Sequence, residues 1–355
     1  MQSGPVLRPW LNGVRAYTPG KTALSDHGRL ASNEAPHPLP TIRSENAEGL
    51  LGEINRYPDP TAQELRRAIA DTHSVDPAEV VVGNGSDELI HLLIQAYAAF
   101  TGSIAVASPG YALYALCAQR LGAQTVTVEL DGWTHDLDAM ANVDTDIAFI
   151  CNPANPTGTV VEPASLAHFI RTSRAKLVVI DEAYAEFNTA EALDTMSVAV
   201  TSPRTIVLRT FSKAHALAGA RVGYFVAHKS IADTIRAIQL PFSVNSVAQH
   251  LATRSLQESD NALKNVASIV SIRHELQDLL DDLEIHYVPS EASFVLALTE
   301  RSEELVAHLA RHSIAVRPGA DLGINNAARI TVPAEYGFTG LEQALRIFSR
   351  KELVR

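Results

Sequence analysis

Short apolar runs alternate with amphipathic stretches through the middle of the chain. The runs have the length of buried strands and cover Ala78–Val82, Ser103–Ala107, Thr125–Val128, Ile147–Cys151, Leu177–Ile180 and Thr205–Leu208. Between them apolar residues recur at helical spacing, which predicts helices over Thr61–Ser74, Leu89–Tyr97, Tyr111–Leu121 and Ala164–Ala175. Because strands that alternate with helices form a sheet covered on both faces, the pattern predicts an α/β fold with a mostly parallel sheet between helices.

The pattern changes after about residue 245. A long helical stretch is predicted over Ser246–Leu283, and three strand candidates follow it, Ser293–Leu298, Ile314–Arg317 and Ala328–Val332. Residues 1–40 are rich in Pro, Gly and Asn and predict an irregular arm. We therefore expect a large domain over residues 41–248 and a smaller α+β domain over residues 249–355, with the arm belonging to the smaller lobe.

Composition narrows the class of protein. The chain has 355 residues, of which 46% are hydrophobic, and its net charge of −11 argues against nucleic-acid partners and anionic membranes. No apolar run approaches the roughly 18 residues of a membrane span, and the N-terminal residues lack a signal-peptide core. Cys117 and Cys151 are too few for a disulfide framework, and the 13 histidines show no metal-ligand spacing. We expect a cytoplasmic protein without a metal site.

Lys213 is one of only six lysines and lies among residues that suit a phosphate. Thr210 and Ser212 precede it, and Arg221 follows eight residues later. A lysine amine is a nucleophile only when it is neutral, and desolvation together with nearby cations lowers a lysine pKa enough to allow this. The run therefore contains a lysine that can form an imine, next to groups that can bind a phosphate.

Other polar groups follow predicted strands. Asp181 ends a strand, where the carboxyl ends of parallel strands bind ligands, and Tyr184 lies three residues further on. Asn155 begins an Asn-Pro-Thr-Gly turn after another strand. The turn Gly83–Glu88 joins a strand to a helix, and such turns cradle phosphates with helix N-terminal amides. In this turn we expect the side chain of Asp87 to cap the helix. Together these groups are what pyridoxal phosphate (PLP) requires.

These runs, in this order, resemble the fold-type I PLP-dependent enzymes. Within them the chain looks most like the histidinol-phosphate aminotransferase branch of the class I/II aminotransferases, from about residue 30 to about residue 335. The resemblance implies a large PLP-binding domain and PLP as the cofactor. It also implies transfer of an amino group from a small-molecule donor to a 2-oxo acid. Lys213 is then the residue that holds the cofactor and later carries the substrate proton.

The resemblance implies a role for each cofactor-site residue. Asp181 keeps the pyridine nitrogen protonated, and Tyr184 and Asn155 bind the ring's 3′ oxygen. Tyr111 stacks on the ring. The residues implied at the phosphate are Gly85, Ser86, Asp87, Thr210, Ser212 and Arg221. Tyr57 matches a tyrosine that reaches the partner subunit's cofactor phosphate, which implies a homodimer with shared active sites.

Four residues match the family's substrate positions. Arg329 is implied to clamp the α-carboxylate in a bidentate fork, and Asn33 lines the same pocket. Tyr17 and Arg317 match positions that hold a distal phosphate or carboxylate. Histidinol phosphate is the favoured donor, because these four residues suit an amino compound with a distal anion.

Two departures from the family pattern leave the substrate open. His215 and Ala216 stand where the family has an aromatic residue and a glycine, and Pro333 follows Val332 where the family has a glycine. Both changes lie near the substrate, so an aromatic amino acid is the alternative donor. A PLP lyase or decarboxylase acting on a phosphorylated amino acid, and a non-enzymatic PLP sensor, are further alternatives.

Overall fold

The structure is a computed structural model that describes residues 7–21, 23, 25–43, 49 and 51–350. Residues 1–6, 22, 24, 44–48, 50 and 351–355, which the predicted arm and domains include, lie outside the described residues. Within the described ranges, no helix is long and apolar enough to cross a membrane. The same residues contain no cluster of three or more His, Cys, Asp or Glu side chains that could hold a metal ion.

An eight-stranded sheet forms the centre of the larger part of the molecule. Its strands are β2 (Val80–Gly83), β3 (Ser103–Ser108), β4 (Gln124–Asp131), β5 (Thr134–His135), β6 (Ile147–Cys151), β7 (Leu177–Asp181), β8 (Thr205–Thr210) and β9 (Gly223–Val226). The order across the sheet is β2-β9-β8-β7-β6-β3-β4-β5. Strands β4, β3, β6, β7 and β8 are parallel, whereas β9 runs antiparallel to both of its neighbours. The predicted α/β fold with a mostly parallel sheet is confirmed.

Helices cover both faces of this sheet. Their bounds are Pro40–Arg43, Gln63–His73, Ser86–Tyr97, Ala112–Leu121, Leu137–Ala141, Pro163–Thr172, Thr195–Thr201, Lys229–Ile238 and Ser246–Gln257. Successive residues of β6 join different apolar clusters, because strand side chains alternate between faces. Phe149 packs with Leu93 and Tyr114 on one face, whereas Ile150 packs with Phe169 on the other.

Local side chains move two helix starts away from the predicted positions. The first predicted helix begins at Gln63 rather than Thr61, because the Asp59 carboxylate accepts hydrogen bonds from both backbone amides (2.7 and 2.9 Å). The helix predicted from Leu89 begins at Ser86, directly after the glycine turn. This earlier start brings its first-turn amides to the carboxyl edge of the sheet.

The long helical stretch predicted over Ser246–Leu283 is divided into two helices. Ser246–Gln257 and Ser259–Asp282 are separated by Glu258, whose φ of −111° and ψ of 45° are not helical. The first helix packs on the large sheet, with Ala248 in its apolar cluster. The second contributes Leu276 to the core of the smaller sheet, so the break lets one continuous segment serve both sheets.

A five-stranded sheet forms the smaller part. Its strands are β1 (Arg29–Leu30), β10 (His286–Val288), β11 (Phe294–Leu298), β12 (Ala315–Pro318) and β13 (Ala327–Thr331), in the order β1-β12-β13-β11-β10. The helices Ser302–Arg311 and Glu335–Arg350 share its core with Ser259–Asp282. Strand β1 comes from the N-terminal segment and pairs in parallel with β12, which ties that segment to this sheet. The domain limits themselves stay a prediction.

Candidate active site

The carboxyl ends of three parallel strands meet the N-terminal segment at one place. Asn155 follows β6, Asp181 ends β7, and Lys213 follows β8. The Lys213 amine donates hydrogen bonds to the backbone oxygens of Asn33 (2.9 Å) and Ser32 (3.2 Å). The carboxyl edge of a parallel sheet is where open α/β folds bind ligands. The structure therefore brings these sequence-predicted residues together, and their individual roles stay predictions.

The surroundings of Lys213 lower its pKa to about 8. Burial is the main cause, because a charged amine loses hydration there, and the guanidinium groups of Arg329 and Arg221 act in the same direction. The carboxylates of Glu34 and Asp87 oppose this shift. A substantial share of the amine is therefore neutral at mildly alkaline pH, which is the form that attacks a carbonyl.

Asp181 is buried, and both of its carboxylate oxygens accept hydrogen bonds. The Ala183 amide donates to Oδ1 (3.1 Å) and the Tyr114 hydroxyl donates to Oδ2 (2.6 Å). Burial raises the pKa of Asp181 to about 6, while these two donors stabilise its charged form. Tyr114 is missing from the sequence-predicted site, because a tyrosine among apolar helix residues looks like core. Its spacing of three from Tyr111, which puts both on one side of a helix, was the available signal.

The hydroxyl of Tyr184 is fixed by the N-terminal segment. The side chain of Asn33 donates from Nδ2 to the Tyr184 hydroxyl (2.9 Å), and the backbone amide of Asn33 donates to Thr331 Oγ1 (3.0 Å). The Thr331 hydroxyl donates back to Asn33 Oδ1 (3.1 Å). Burial raises the pKa of Tyr184, so it remains a neutral phenol that can donate to a ligand.

The glycine turn before the helix Ser86–Tyr97 forms a cradle. Gly85 has φ 78° and ψ 166°, and the helix has no side-chain cap. A Cβ atom at Gly85 would lie 2.6 Å from Nη2 of Arg221, so the guanidinium occupies the space that glycine leaves. Arg221 donates to Ser212 Oγ (3.4 Å), and the Ser212 amide donates to Thr210 Oγ1 (3.1 Å). Uncapped amides, hydroxyls and a guanidinium together suit a phosphate dianion.

The side chain of Asp87 does not cap the helix, and that expectation is wrong. Its carboxylate forms an ion pair with Arg221 Nη2 (3.1 Å) and accepts a hydrogen bond from the Tyr111 hydroxyl (3.2 Å). The guanidinium is a stronger partner for a carboxylate than a backbone amide, since both groups of the pair are charged. The helix amides consequently stay available to a ligand.

Tyr57 lies apart from this cluster in the single chain. Its side chain is 82% exposed and stacks on Phe242, with ring centres 4.5 Å apart. A large exposed aromatic residue is suited to contact another molecule. Its predicted contact with a partner subunit's cofactor stays a prediction.

Arg329 is a buried guanidinium that has no counter-ion among the described residues. It donates from Nη1 to Asn155 Oδ1 (2.6 Å) and from Nη2 to the Ala31 carbonyl oxygen (3.0 Å), whereas its Nε has no hydrogen-bond partner. Among the described residues, no carboxylate lies within ion-pair distance of it. A buried charge is costly unless it is paired, so this group is suited to an anionic ligand.

Arg317 lies directly opposite Arg329 on the neighbouring strand β12. It is also buried, but it donates to the Thr18 carbonyl oxygen (2.9 Å) and its Nε lies 3.5 Å from Asp321 Oδ2. Tyr17, next to Thr18, is half exposed. Within the described part of the chain the two arginines therefore differ, because Arg317 has a counter-ion and Arg329 has none.

The residues that meet here fit PLP. The cradle at Gly85 suits its phosphate, Asp181 is a buried carboxylate, and Lys213 has a lowered pKa. An α/β sheet with this set at its carboxyl edge defines a PLP-dependent enzyme. The model of the family aminotransferase class I and II matches residues 26–347, and the chain belongs to that family. PLP is its cofactor, and transfer of an amino group is its activity.

Known proteins resemble the chain over almost its whole length. It is 37% identical over 344 residues to an aromatic amino acid aminotransferase of Mycobacterium sp. (strain KMS), which covers 93% of this chain and 94% of that protein. The fold is similar to that of histidinol-phosphate aminotransferase from Sinorhizobium meliloti in complex with PLP (TM-score 0.85, 23% identity, 99% of each chain). The enzyme of the same name from Clostridium acetobutylicum gives a TM-score of 0.84 at 25% identity, over 91% of this chain and 99% of that one.

The lowered pKa of Lys213 predicts how the cofactor-free protein captures PLP. Only the neutral amine reacts with the PLP aldehyde. At saturating PLP, the rate of covalent attachment should therefore rise with pH, with a midpoint at the lowered lysine pKa of about 8 rather than at the ordinary lysine pKa of 10.5. Stopped-flow absorbance measures this rate. Arg329→Met removes a cation and should move the midpoint to higher pH, whereas Glu34→Gln removes an anion and should move it to lower pH. Shifts of the same sign would contradict this account.

The close approach of Arg221 to Gly85 can be tested by comparing the PLP affinity of two glycine variants. Gly85→Ala should weaken PLP binding about 10- to 100-fold, because displacing Arg221 from the phosphate loses a charged hydrogen bond. Gly132 also has a positive φ, of 59°, but an added Cβ there meets nothing within 4 Å. Gly132→Ala should therefore leave the affinity unchanged. Equilibrium titration of both cofactor-free variants with PLP measures the difference. Equal affinities of the two variants would contradict the assignment of the Gly85 turn as the phosphate site.

Proposed function

We propose that the protein transfers the amino group of aromatic amino acids to a 2-oxo acid. The observation that carries the proposal is Arg329, a buried guanidinium without a carboxylate partner among the described residues. Such a group suits the single α-carboxylate of an amino acid, which it can bind through two parallel hydrogen bonds. The relative named aromatic amino acid aminotransferase, at 37% identity, supports the same donor class.

The state of Arg317 favours a donor with a neutral side chain. Asp321 lies 3.5 Å from its Nε, and the Thr18 carbonyl oxygen accepts from its Nη2. Part of its charge is therefore already balanced, and a ligand phosphate would compete with Asp321 for it. An aromatic ring makes no such demand, because it binds without charge.

The proposed roles of the residues follow from their contacts. When bound, PLP supplies an electron-withdrawing ring that makes the substrate Cα–H bond acidic. Gly85, Ser86 and Arg221 would hold its phosphate, and Asp181 would bind its ring nitrogen. Lys213 would hold the cofactor until substrate arrives, and its neutral amine would then accept the Cα proton at Nζ. Its hydrogen bonds to the Ser32 and Asn33 carbonyl oxygens would keep that amine in place when it is released.

The remaining predicted contacts surround the same ring. We place Tyr184 and Asn155 at its 3′ oxygen and Tyr111 on its face, with Thr210, Ser212 and the amide of Asp87 completing the phosphate site. Asn155 also accepts from Arg329 (2.6 Å), which would link the cofactor ring to the substrate carboxylate. Asn33 would contribute to the same carboxylate pocket.

The proposal includes a homodimer. Tyr57 and Phe242 stack at the surface, and Ile54 and Leu240, close to them in the chain, are 60% and 75% exposed. Large apolar side chains that are exposed together are typical of association surfaces. A second copy of the chain over this surface would bury them and would bring Tyr57 to the partner's cofactor phosphate.

Histidinol phosphate is the second candidate donor. The observation in its favour is the pair of buried arginines on neighbouring strands, since Arg317 and Arg329 lie directly opposite each other. Like charges at opposite positions repel, and a phosphate dianion between them would relieve that repulsion. Proteins named histidinol-phosphate aminotransferase also share the fold of this chain.

Replacement of the lysine tests the aminotransferase site. Lys213→Ala should bind PLP noncovalently and should lose transamination, because acid–base participation alone is worth about 10²–10⁴-fold. Lys229→Ala is the matched control, since that lysine is exposed and pairs with Asp233. Single-turnover absorbance with an amino donor measures both variants. Retention of more than about a tenth of the wild-type rate by Lys213→Ala would rule out its role.

Variants of Arg317 and of its counter-ion Asp321 test which amino donor the enzyme prefers. We expect the wild type to prefer phenylalanine over histidinol phosphate in kcat/KM, and Arg317→Ala to change phenylalanine kinetics little. With histidinol phosphate, the same variant should raise KM about 10- to 100-fold, because it loses a charged hydrogen bond. Asp321→Asn should have the opposite effect on the phosphorylated donor, since it frees Arg317. A wild type that prefers histidinol phosphate would contradict the proposal and favour the second candidate.

A further inference from the structure

The hydroxyl of Tyr114 makes a short hydrogen bond to the carboxylate of Asp181. The donor–acceptor distance is 2.6 Å, and both side chains are buried, with 3% of each residue exposed. Hydrogen bonds to a charged acceptor are shorter and stronger than neutral ones. The bond joins two residues 67 positions apart in the sequence, so it is a product of the tertiary fold rather than of a local turn.

Aromatic neighbours fix the ring of Tyr114. It stacks on Phe149 of strand β6, with ring centres 4.5 Å apart and an angle of 13° between the planes. Tyr111 meets it edge to face at 5.3 Å. Tyr111 is the N-cap residue of the helix Ala112–Leu121 and Tyr114 lies in its first turn. The same helix start therefore carries the residue predicted on the ring face and the donor to Asp181.

The charges around Asp181 do not favour its ionised form. The ionisable groups that interact with it include Asp87, Glu182, Cys151, Tyr111, Tyr114 and Tyr184. Burial and the neighbouring carboxylates raise its pKa to about 6. The Tyr114 hydroxyl and the Ala183 amide act in the opposite direction, and Tyr114 has the larger effect of the two.

We propose that Tyr114 is a positioning residue that keeps Asp181 ionised and directed toward the ring nitrogen of PLP. Tyr114 occupies one lone pair of Oδ2 and the Ala183 amide occupies one of Oδ1, so each carboxylate oxygen keeps a lone pair that could accept from a protonated ring nitrogen. Without the hydroxyl, the Asp181 carboxylate would hold a proton more tightly, and the ring nitrogen of bound PLP would give up its proton to it more readily. The inference rests on the proposed contact between Asp181 and the ring nitrogen.

The experiment follows that proton directly. The holoenzyme is prepared with PLP that carries ¹⁵N in the ring, and the nitrogen chemical shift is recorded as a function of pH. In the wild type we expect a protonated nitrogen at neutral pH. In Tyr114→Phe the shift should move toward that of an unprotonated nitrogen, and the nitrogen should lose its proton about one to two pH units lower. An unprotonated nitrogen in the wild type overturns the proposal, whatever the variants do.

Kinetics give a second readout of the same variant. Because Tyr114 touches Asp181 rather than the substrate, kcat should fall about 10- to 100-fold while KM for the amino donor stays nearly constant. Tyr97→Phe is the matched control, since Tyr97 is a partly buried tyrosine of the same apolar cluster without a contact to Asp181. It should change neither the nitrogen shift nor kcat. A Tyr114→Phe enzyme with the wild-type nitrogen titration overturns the proposal.

Variants of Asp181 separate this inference from the proposed site. Asp181→Asn alone should shift the ring nitrogen to the unprotonated form, and Tyr114→Phe added to it should have no further effect. If Asp181→Asn leaves the nitrogen unchanged, the proposed contact of Asp181 is wrong. If Asp181→Asn acts but Tyr114→Phe does not, only the role of Tyr114 is wrong.

Discussion

The proposed chemistry depends on a buried lysine amine, that of Lys213, which is partly neutral. Lys213 reaches that state because burial lowers its pKa to about 8, and burial requires both sheets. Strand β8 of the large sheet leads into the lysine, whereas the carbonyl oxygens that accept its hydrogen bonds belong to Ser32 and Asn33. Those two residues follow β1, which is a strand of the small sheet. The second sheet therefore serves the chemistry as well as the packing, because without it the lysine would be hydrated and charged.

Buried charged side chains at the candidate active site differ from those elsewhere in the interior in whether they form ion pairs. Away from the site, buried charges have partners: Arg273 pairs with Glu291 (3.1 Å) and Arg209 pairs with Glu182 (2.7 Å). Arg329 and Asp181 have hydrogen bonds but no ion pair among the described residues. Unpaired buried charge destabilises a fold, and binding of an opposite charge removes that cost. A cofactor with a cationic ring and a substrate with an anionic group would supply the two missing charges.

The sequence predicts what depends on local periodicity and misses what depends on distant contacts. The buried strands β6 and β7 were predicted almost to the residue, because uninterrupted apolar runs have few other interpretations. The break at Glu258 was missed, since helical spacing continues on both sides of it. The capping role of Asp87 was wrong because Arg221, 134 residues away, binds its carboxylate. Tyr114 was missed because no sequence pattern separates a buried hydroxyl that binds Asp181 from one that merely fills the core.

On the proposed function, the choice between the two donors would depend on how charge is divided between two buried arginines on neighbouring strands. Arg317 and Arg329 face each other in the register of β12 and β13, and each would destabilise the other if both were free. Asp321 reduces this repulsion by pairing with Arg317, and it is more exposed than either arginine. On the proposed function, a donor with one carboxylate would bind Arg329 alone and would leave the pair of Arg317 and Asp321 intact. On the proposed function, a phosphorylated donor would gain a second guanidinium by competing with Asp321, so the strength of the 3.5 Å ion pair between Arg317 and Asp321 would influence the preference between the two donors.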